Sequence, residues 1–410
     1  MMHCRYCHSE LNSNNIFLDL GNAPPSNAYL SFENLDAPEI TYPLKLFVCD
    51  NCWLAQTQDY AKCDDLFSHD YSYFSSTSKS WLEHAHDFSI KIINNLSLSK
   101  NSFVIEIASN DGYLLKNFLE RKIPCLGIEP TDSTANVAEQ SGIPVLREFF
   151  GKDLALKLAN QGKFADLICG NNVYAHVPDI GNFTEGLKII LKKKGVITLE
   201  FPHLLKLLTN GQFDTVYHEH YSYLSLTSVK KIFSESGLNI FNVEELSTHG
   251  GSLRIYGCHD NEPKYVDPSV DRILSEELSY GIHDLKVYMA LQDRANKIKN
   301  ELLLFLINQK KLGKTIAGYG AAAKGNTLLN YSGIKKDLID FVCDAAIAKQ
   351  NKFMPGSHIP IMSPDFLMSH QPDWIIIFPW NISSEILIQL QKKLEHSKFV
   401  ILIPEFKILN

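Results

Sequence analysis

Short apolar runs alternate with mixed polar segments along most of this chain, and their lengths predict the elements. Residues 102–107 (SFVIEI) form a β-branched run of strand length, 113–120 alternate apolar and polar positions as a helix does, and 125–129 (CLGIE) form a second strand. Further strands are predicted at 165–170 (ADLICG), 195–200 (GVITLE), 315–318, 339–342, 374–379 and 399–404. Between the two halves, 275–308 carry regular apolar positions among many charges, which predicts one long helix linking two domains. Strands alternating with helices make an α/β protein with doubly wound parallel sheets.

Length and composition narrow this picture. At about 150 residues per domain, 410 residues predict two to three domains. With 45% hydrophobic and 21% charged residues the chain is a globular protein. The net charge of −7 and the absence of basic runs argue against nucleic acid as a partner and against a zinc-ribbon binding module for RNA or protein. No apolar run reaches the eighteen or so residues of a membrane helix, and MMHCRYCHSE does not read as a signal peptide. Cys63, Cys125, Cys169, Cys258 and Cys343 are scattered singly, a usage expected of reduced thiols in a cytoplasm.

The other four cysteines are patterned. Cys4-x-x-Cys7 and Cys49-x-x-Cys52 are matched knuckles, and two such pairs supply the four thiolates of a tetrahedral zinc site. A closed four-thiolate site has no open position, so the zinc is expected to hold structure and not to perform chemistry. His3 and His8 are read as bystanders, and the span between the knuckles must form small strands and loops of its own.

The turn after 102–107 reads Ala108-Ser109-Asn110-Asp111-Gly112, with a single glycine and hence no dinucleotide fingerprint. Glu129 follows Glu106 by 23 positions, near the spacing of a carboxylate that grips ribose hydroxyls. A nucleoside without phosphates suits such a loop, and S-adenosylmethionine is one. Asn171 to His176 end the 165–170 strand on the same carboxyl rim, where ligands of doubly wound sheets sit.

Residues 214–225 (DTVYHEHYSYLS) crowd Tyr217, His218, Glu219, His220, Tyr221 and Tyr223 into seven positions. The zinc-protease spacing is absent. On an extended segment His218 and His220 would share a face, with Glu219 on the other. Here the ordered set of motifs resembles the sugar C-methyltransferases of deoxysugar pathways: the paired knuckles, E106-I-A-S-N-D-G-Y-L-L115, N171-N-V-Y-A-H176, Y217-H-E-H-Y-S-Y-L-S225, H249-G-G-S-L-R254, G318-Y-G-A-A-A-K-G-N-T-L-L-N330 and P379-W-N381. The resemblance spans essentially the whole chain.

It implies an N-terminal zinc-binding module (1–70), a central class I methyltransferase Rossmann-like domain (71–258) and a C-terminal Rossmann-like substrate domain (259–410). It implies S-adenosylmethionine bound by Glu106, Ala108, Ser109, Asn110, Gly112, Tyr113, Leu114, Glu129, Pro130, Asn171 and Asn172. The implied reaction is methylation at carbon 3 of a nucleotide-linked 4-keto-deoxyhexose by a monomer. A ketone acidifies the neighbouring hydrogen, so a general base must remove it. His220 is the expected base, with Glu219 organising the site, Tyr217 at the enolate oxygen, and His176 and Tyr71 in the same pocket. Where the family places glycine this chain has Ala108, which is tolerated if φ stays negative.

The C-terminal half opens with Gly318-x-Gly320-x-x-Ala323 after a strand, and Asp344 follows the next strand. Alone, this reads as a dinucleotide fingerprint and gives the alternative of an NAD-dependent oxidoreductase acting on a nucleotide sugar. A nucleotide-sugar diphosphate satisfies the same geometry at a helix N-terminus, with Lys324 beside it. The resemblance assigns substrate binding to Gly320, Lys324, Asn326, Arg254, Trp380 and Asn381.

Overall fold

The computed structural model describes residues 2–60 and 74–409; Cys63 and Tyr71 lie outside the described residues. The N-terminal segment contributes β1 (Met2–His3), β2 (Glu10–Leu11), β3 (Ile16–Ala23), β4 (Tyr42–Val48) and β5 (Ala55–Thr57). The knuckle-to-knuckle span is therefore strand and loop, as its length requires. Its sheet is completed from far along the chain, in the order β11-β5-β4-β3, where β11 is Ser222–Tyr223, immediately after the histidine-rich turn.

The central sheet has the order β12-β13-β10-β9-β6-β7-β8. Along the chain its elements are α1 (Lys79–Leu96), β6 (Val104–Ile107), α2 (Leu115–Leu119), β7 (Cys125–Ile128), α3 (Asp132–Gln140), β8 (Val145–Leu146), α4 (Lys152–Asn160), β9 (Ala165–Asn171), α5 (Ile180–Ile190), β10 (Leu191–Pro202), α6 (Leu204–Asn210), α7 (Leu226–Glu235), β12 (Leu238–Leu246) and β13 (Ser252–His259). β6 to β10 run parallel, and β13 is antiparallel to both of its neighbours. The strand order reverses between β6 and β9, so the carboxyl ends of those strands open a crevice there.

The predicted linker helix is two helices, α8 (Pro268–Tyr280) and α9 (Leu285–Lys311). Gly281 at φ +95° ends the first, and the Asp284 side chain caps the second by accepting from the Lys286 N–H. The C-terminal sheet then follows as β14 (Ile316–Tyr319), α10 (Ala323–Ser332), β15 (Phe341–Cys343), β16 (Ile361–Met362), α11 (Pro364–His370), β17 (Trp374–Ile377), α12 (Ser383–Leu390), β18 (Lys398–Ile401) and β19 (Lys407–Leu409), in the order β16-β15-β14-β17-β18-β19. Among the described residues, no helix is long and apolar enough to cross a membrane.

The cores do not respect domain borders. Cys4, Leu11, Cys49 and Leu54 share one apolar cluster with α5, α7 and the central sheet. Phe17, Leu18 and Leu46 share another with Tyr288 and Leu291 of α9 and with the C-terminal sheet. The N-terminal sheet is thus wedged between the two α/β sheets.

One local expectation fails. Ala108 has φ +55°, in the left-handed region. The Ser109 N–H donates to the Ile128 carbonyl at 3.2 Å and the Gly112 N–H to the Ser109 carbonyl at 3.0 Å, so the chain must double back directly after β6. A non-glycine residue held there costs about 1–2 kcal/mol, part of which glycine would return as unfolded-state entropy. Ala108→Gly is accordingly expected to stabilise the protein by about 0.5–1 kcal/mol. A urea-denaturation midpoint that fails to rise would show that the methyl group packs usefully.

Candidate functional site

The four patterned thiols meet. The sulfurs of Cys4, Cys7, Cys49 and Cys52 all lie within 4.8 Å of one another, with Cys4–Cys52 and Cys7–Cys49 at 3.5 Å. A tetrahedron built on Zn–S bonds of about 2.3 Å has edges of about 3.8 Å, so the set fits a zinc ion. The knuckles are built alike: the His8 N–H donates to the Cys4 carbonyl and the Trp53 N–H to the Cys49 carbonyl, and His8 and Trp53 have φ +60° and +59°. His3 turns its ring to the His8 carbonyl at 3.1 Å and takes no part. The Gln56 amide donates to the Cys4 sulfur at 3.2 Å.

At the switch point of the central sheet, the Glu129 carboxylate is anchored by the Asn110 N–H at 2.9 Å and by the N–H of Thr131 at 3.0 Å. Pro130 leads from it into α3. The loop 108–112 is clamped from above, since Ser75 and Ser76 donate their N–H groups to the side chains of Asn110 and Asp111. Burial, with Asp111 and Glu129 nearby, holds the Glu106 carboxyl well above the usual carboxylate range. Tyr113 reaches across to Asn171, whose amide donates to its hydroxyl at 3.2 Å. Leu114 is wholly buried in the cluster with Phe88 and Phe118, so its side chain belongs to the core beneath the rim.

Among the described residues, Glu106 Oε1 and Oε2, Ser109 Oγ, Asp111 Oδ1, Asn171 Oδ1 and Asn172 Oδ1 are buried on this rim without a hydrogen-bond partner. Buried polar atoms left alone are costly, and their concentration here fits a ligand carrying both hydroxyls and amino groups. An adenosyl amino acid has both.

The histidine-rich segment is a tight turn, closed by the His220 N–H donating to the Tyr217 carbonyl at 3.0 Å. His218 and His220 therefore do not share a face. His218 leaves toward the Pro43 carbonyl and packs edge-on against Tyr42. His220 turns inward, its ring 4.6 Å from that of His176 and 4.0 Å from that of Tyr217. His220 Nδ1 contacts the Thr215 carbonyl at 3.2 Å and His176 Nδ1 the Glu219 carbonyl at 2.8 Å. A carbonyl only accepts, so both rings carry their proton on Nδ1 and present Nε2 as an acceptor. Burial, reinforced for His220 by His176, holds His220 well below the ordinary imidazole value; burial alone brings His176 down to about 4. The Glu219 carboxylate faces away from both rings, toward the Ser26 hydroxyl at 2.9 Å and the Asn27 amide at 3.2 Å. Burial raises its pKa.

The C-terminal sheet closes the same cleft. Lys324 donates to Asn381 Oδ1 at 2.7 Å and lies 4.3 Å over the Trp380 ring, and the Trp380 indole donates to Asp214 at 2.7 Å. Gly320 is required where it stands, at φ +90°, because a Cβ there would sit 2.4 Å from Pro379. Two of the substrate candidates have their polar groups engaged within the protein. Asn326 is buried within α10 and accepts from Asn330. Arg254 is locked in β13 by Glu200 at 2.6 Å, with His84 at 2.8 Å. Sequence reasoning missed Asp214 and the cluster of Trp81, His84 and His249. Trp81 stacks on His84 at 5.0 Å and meets the edge of His249 at 5.4 Å, and His249 touches the Asn172 amide at 3.0 Å. The available signals were the HGGSLR motif, which carries His249, and the place of Asp214 at the head of the 214–225 segment.

Comparison with known proteins gives a consistent result. Family models match as a proposed zinc-binding domain at 4–67, a methyltransferase domain at 81–243 and a C-methyltransferase C-terminal domain at 247–404. The C-methyltransferase NovU of Streptomyces niveus is 32% identical over 99% of this chain and 96% of its own length. Partial matches are found to the structure of magnesium protoporphyrin IX methyltransferase from Synechocystis PCC 6803 with bound SAM (14% identical, 44% of this chain and 78% of that one, TM-score 0.33) and to that of an S-adenosylmethionine-dependent methyltransferase from Clostridium acetobutylicum ATCC 824 (14%, 48% and 99%, 0.37). The NAD-dependent alternative is set aside, because the segment that suggested it matches the C-methyltransferase C-terminal model.

Two outcomes follow from this geometry. Cys49→Ser should release the zinc and lower stability by several kcal/mol, since structural zinc contributes directly to folding; metal analysis and thermal unfolding read both effects. Glu129→Ala should weaken S-adenosylhomocysteine binding by about 1–3 kcal/mol, the range for a lost acceptor beside buried hydroxyls. Calorimetry that shows sugar-nucleotide binding falling equally would make Glu129 an architectural residue.

Proposed function

The chain belongs to the S-adenosylmethionine-dependent C-methyltransferases, and from that premise we propose that it methylates carbon 3 of a nucleotide-linked 4-keto-deoxyhexose. The observation that carries the reading is His220, a buried neutral imidazole whose Nδ1–H is tied to the Thr215 carbonyl. Such a ring offers Nε2 to a proton on carbon and keeps it unprotonated at neutral pH. When bound, S-adenosylmethionine supplies a sulfonium methyl open to attack by a carbon nucleophile.

In this reading His220 takes the hydrogen next to the ketone. Tyr217, packed against it, donates to the ketone oxygen. His176, fixed through the Glu219 carbonyl, orients the sugar beside the cofactor rim. Glu219 acts through its place in the turn, held by Ser26 and Asn27. The α10 N-terminus beside Gly320 receives the nucleotide diphosphate. Residues 1–70 brace the site, 71–258 hold the methyl donor and 259–410 hold the sugar nucleotide. The name of NovU supports the C-methyltransferase chemistry, and the sugar is this proposal's own step.

Incubation with methyl-labelled S-adenosylmethionine and a panel of nucleotide 4-keto-6-deoxysugars tests this directly. A ketone at carbon 4 acidifies carbons 3 and 5 alike, so NMR of the product must put the methyl on carbon 3. A methyl on carbon 5 overturns the regiochemistry, and no labelled sugar overturns the substrate class. His220→Asn should depress turnover by roughly 10²–10⁴-fold with both ligands still bound. Because the folded protein lowers the His220 pKa, the acid limb of kcat/KM should lie below pH 6.5, the ordinary imidazole value. If His220→Asn keeps near-normal turnover while His176→Asn is dead, the base is His176.

A further inference from the structure

Removing a proton from carbon leaves a full negative charge, which comes to rest on the ketone oxygen. His176, His220 and His249 all stand around the cleft as neutral rings, with burial bringing His249 down to about 4. A neutral hydroxyl such as that of Tyr217 can donate to the oxygen but cannot balance its charge. The C-terminal domain supplies a group that can.

Lys324 is held on two sides. Asn381 takes one of its hydrogens at 2.7 Å, and the Trp380 ring lies 4.3 Å beneath it. Trp380 is itself fixed by Asp214, and it fills the space beside Gly250, where a Cβ would come within 2.3 Å of the ring. Those two anchors bracket the cleft: Asp214 precedes Thr215, whose carbonyl sets His220, and Gly250 follows His249. The ammonium is near enough for its charge to disfavour protonation of both rings, and near enough to Asp214 to stay charged. Burial brings it down to about 8, so at neutral pH it remains mostly an ammonium. An ammonium so placed, with two hydrogens left after the bond to Asn381, is a donor awaiting an anionic oxygen inside the cleft.

We infer that Lys324 is a catalytic residue of the methyl transfer, its ammonium donating to the ketone oxygen and stabilising the enolate. The inference rests on the substrate class proposed above. The carbon–hydrogen pair of electrons becomes the enolate double bond, the proton goes to His220 Nε2, and the charge on oxygen faces Lys324. As the carbon–methyl bond forms, the methyl–sulfur pair goes to sulfur and the oxygen returns to a ketone. The role differs from gripping a diphosphate, which the place of Lys324 at the α10 N-terminus alone suggests.

Lys324→Met and Asn381→Ala in the full chain separate these roles. Loss of one preorganised donor to an oxyanion costs roughly 10²–10³ in kcat. Lys324→Met should show that loss, with a parallel fall in exchange of the carbon-bound hydrogen with deuterated water. The dissociation constants for thymidine and uridine diphosphate, and for S-adenosylhomocysteine, should stay within about twofold. Asn381→Ala should lower kcat by a smaller factor with the same unchanged affinities, and it carries the test if Lys324→Met does not fold. A Lys324→Met enzyme with near-normal kcat overturns the inference, whether or not nucleoside diphosphate affinity falls. Wild-type protein that methylates no 4-keto sugar overturns the substrate class and this role together, whereas an active wild type with an indifferent Lys324→Met overturns the role alone.

Discussion

Two hydrogen bonds from Thr57 tie the metal-binding end of the chain to its chemistry. Its N–H donates to the Tyr221 carbonyl at 3.1 Å and its hydroxyl to the His220 carbonyl at 3.0 Å. The preceding residue, Gln56, donates to the Cys4 sulfur and accepts from the Arg5 N–H. A short covalent and hydrogen-bonded path thus runs from the metal cluster to His220, the proposed base. The histidine-rich turn has little secondary structure of its own. The strand that follows it, β11, is the added edge of a sheet whose other strands come from the N-terminus, and Cys49 and Cys52 lie between β4 and β5 of that sheet. In the proposed mechanism a structural metal acts on catalysis by fixing where a backbone carbonyl sits.

The interior of the cleft follows from burial more than from charge pairing. Imidazoles withdrawn from water lose their protons, which makes His220 and His176 acceptors at neutral pH and leaves Nδ1 for the protein to use as a handle. Carboxylates withdrawn from water must be bonded or protonated, and the structure uses both solutions. Glu219 and Glu129 are held by nearby donors, whereas Glu106 is pushed toward its neutral form. Asp214 lies between these extremes: burial raises it to about 6 against the pull of Lys324 and Trp380.

Local signals in the sequence were legible wherever the physics is local. The two-residue gaps of the knuckles, the β-branched runs and the carboxylate ending β7 each follow from neighbours in the chain. What could not be read depends on distant contacts. The face-sharing of His218 and His220 failed because a single turn bond, from His220 to Tyr217, overrides strand alternation. Ala108 adopts positive φ because the next residue is claimed by a carbonyl of another strand. Arg254 has the chemistry of a substrate ligand, but in β13 it meets Glu200, and only strand register reveals that. Asp214 was not read as a site residue because its partner Trp380 is 166 positions away.

The shared sheet also has a history during synthesis. The knuckles and β3 to β5 leave the ribosome first, and the strand that covers β5 is made about 163 residues after Thr57. At 5–20 residues per second that interval is roughly 8–30 s. Throughout it β5 (Ala55–Thr57) presents an unpaired backbone edge, the kind of surface that recruits strands from other chains. Zinc captured early would fold the module without closing that edge. Nascent-chain aggregation should therefore depend less on metal supply than on how quickly translation crosses the stretch between β5 and β11, a kinetic liability written into the same pairing that positions His220.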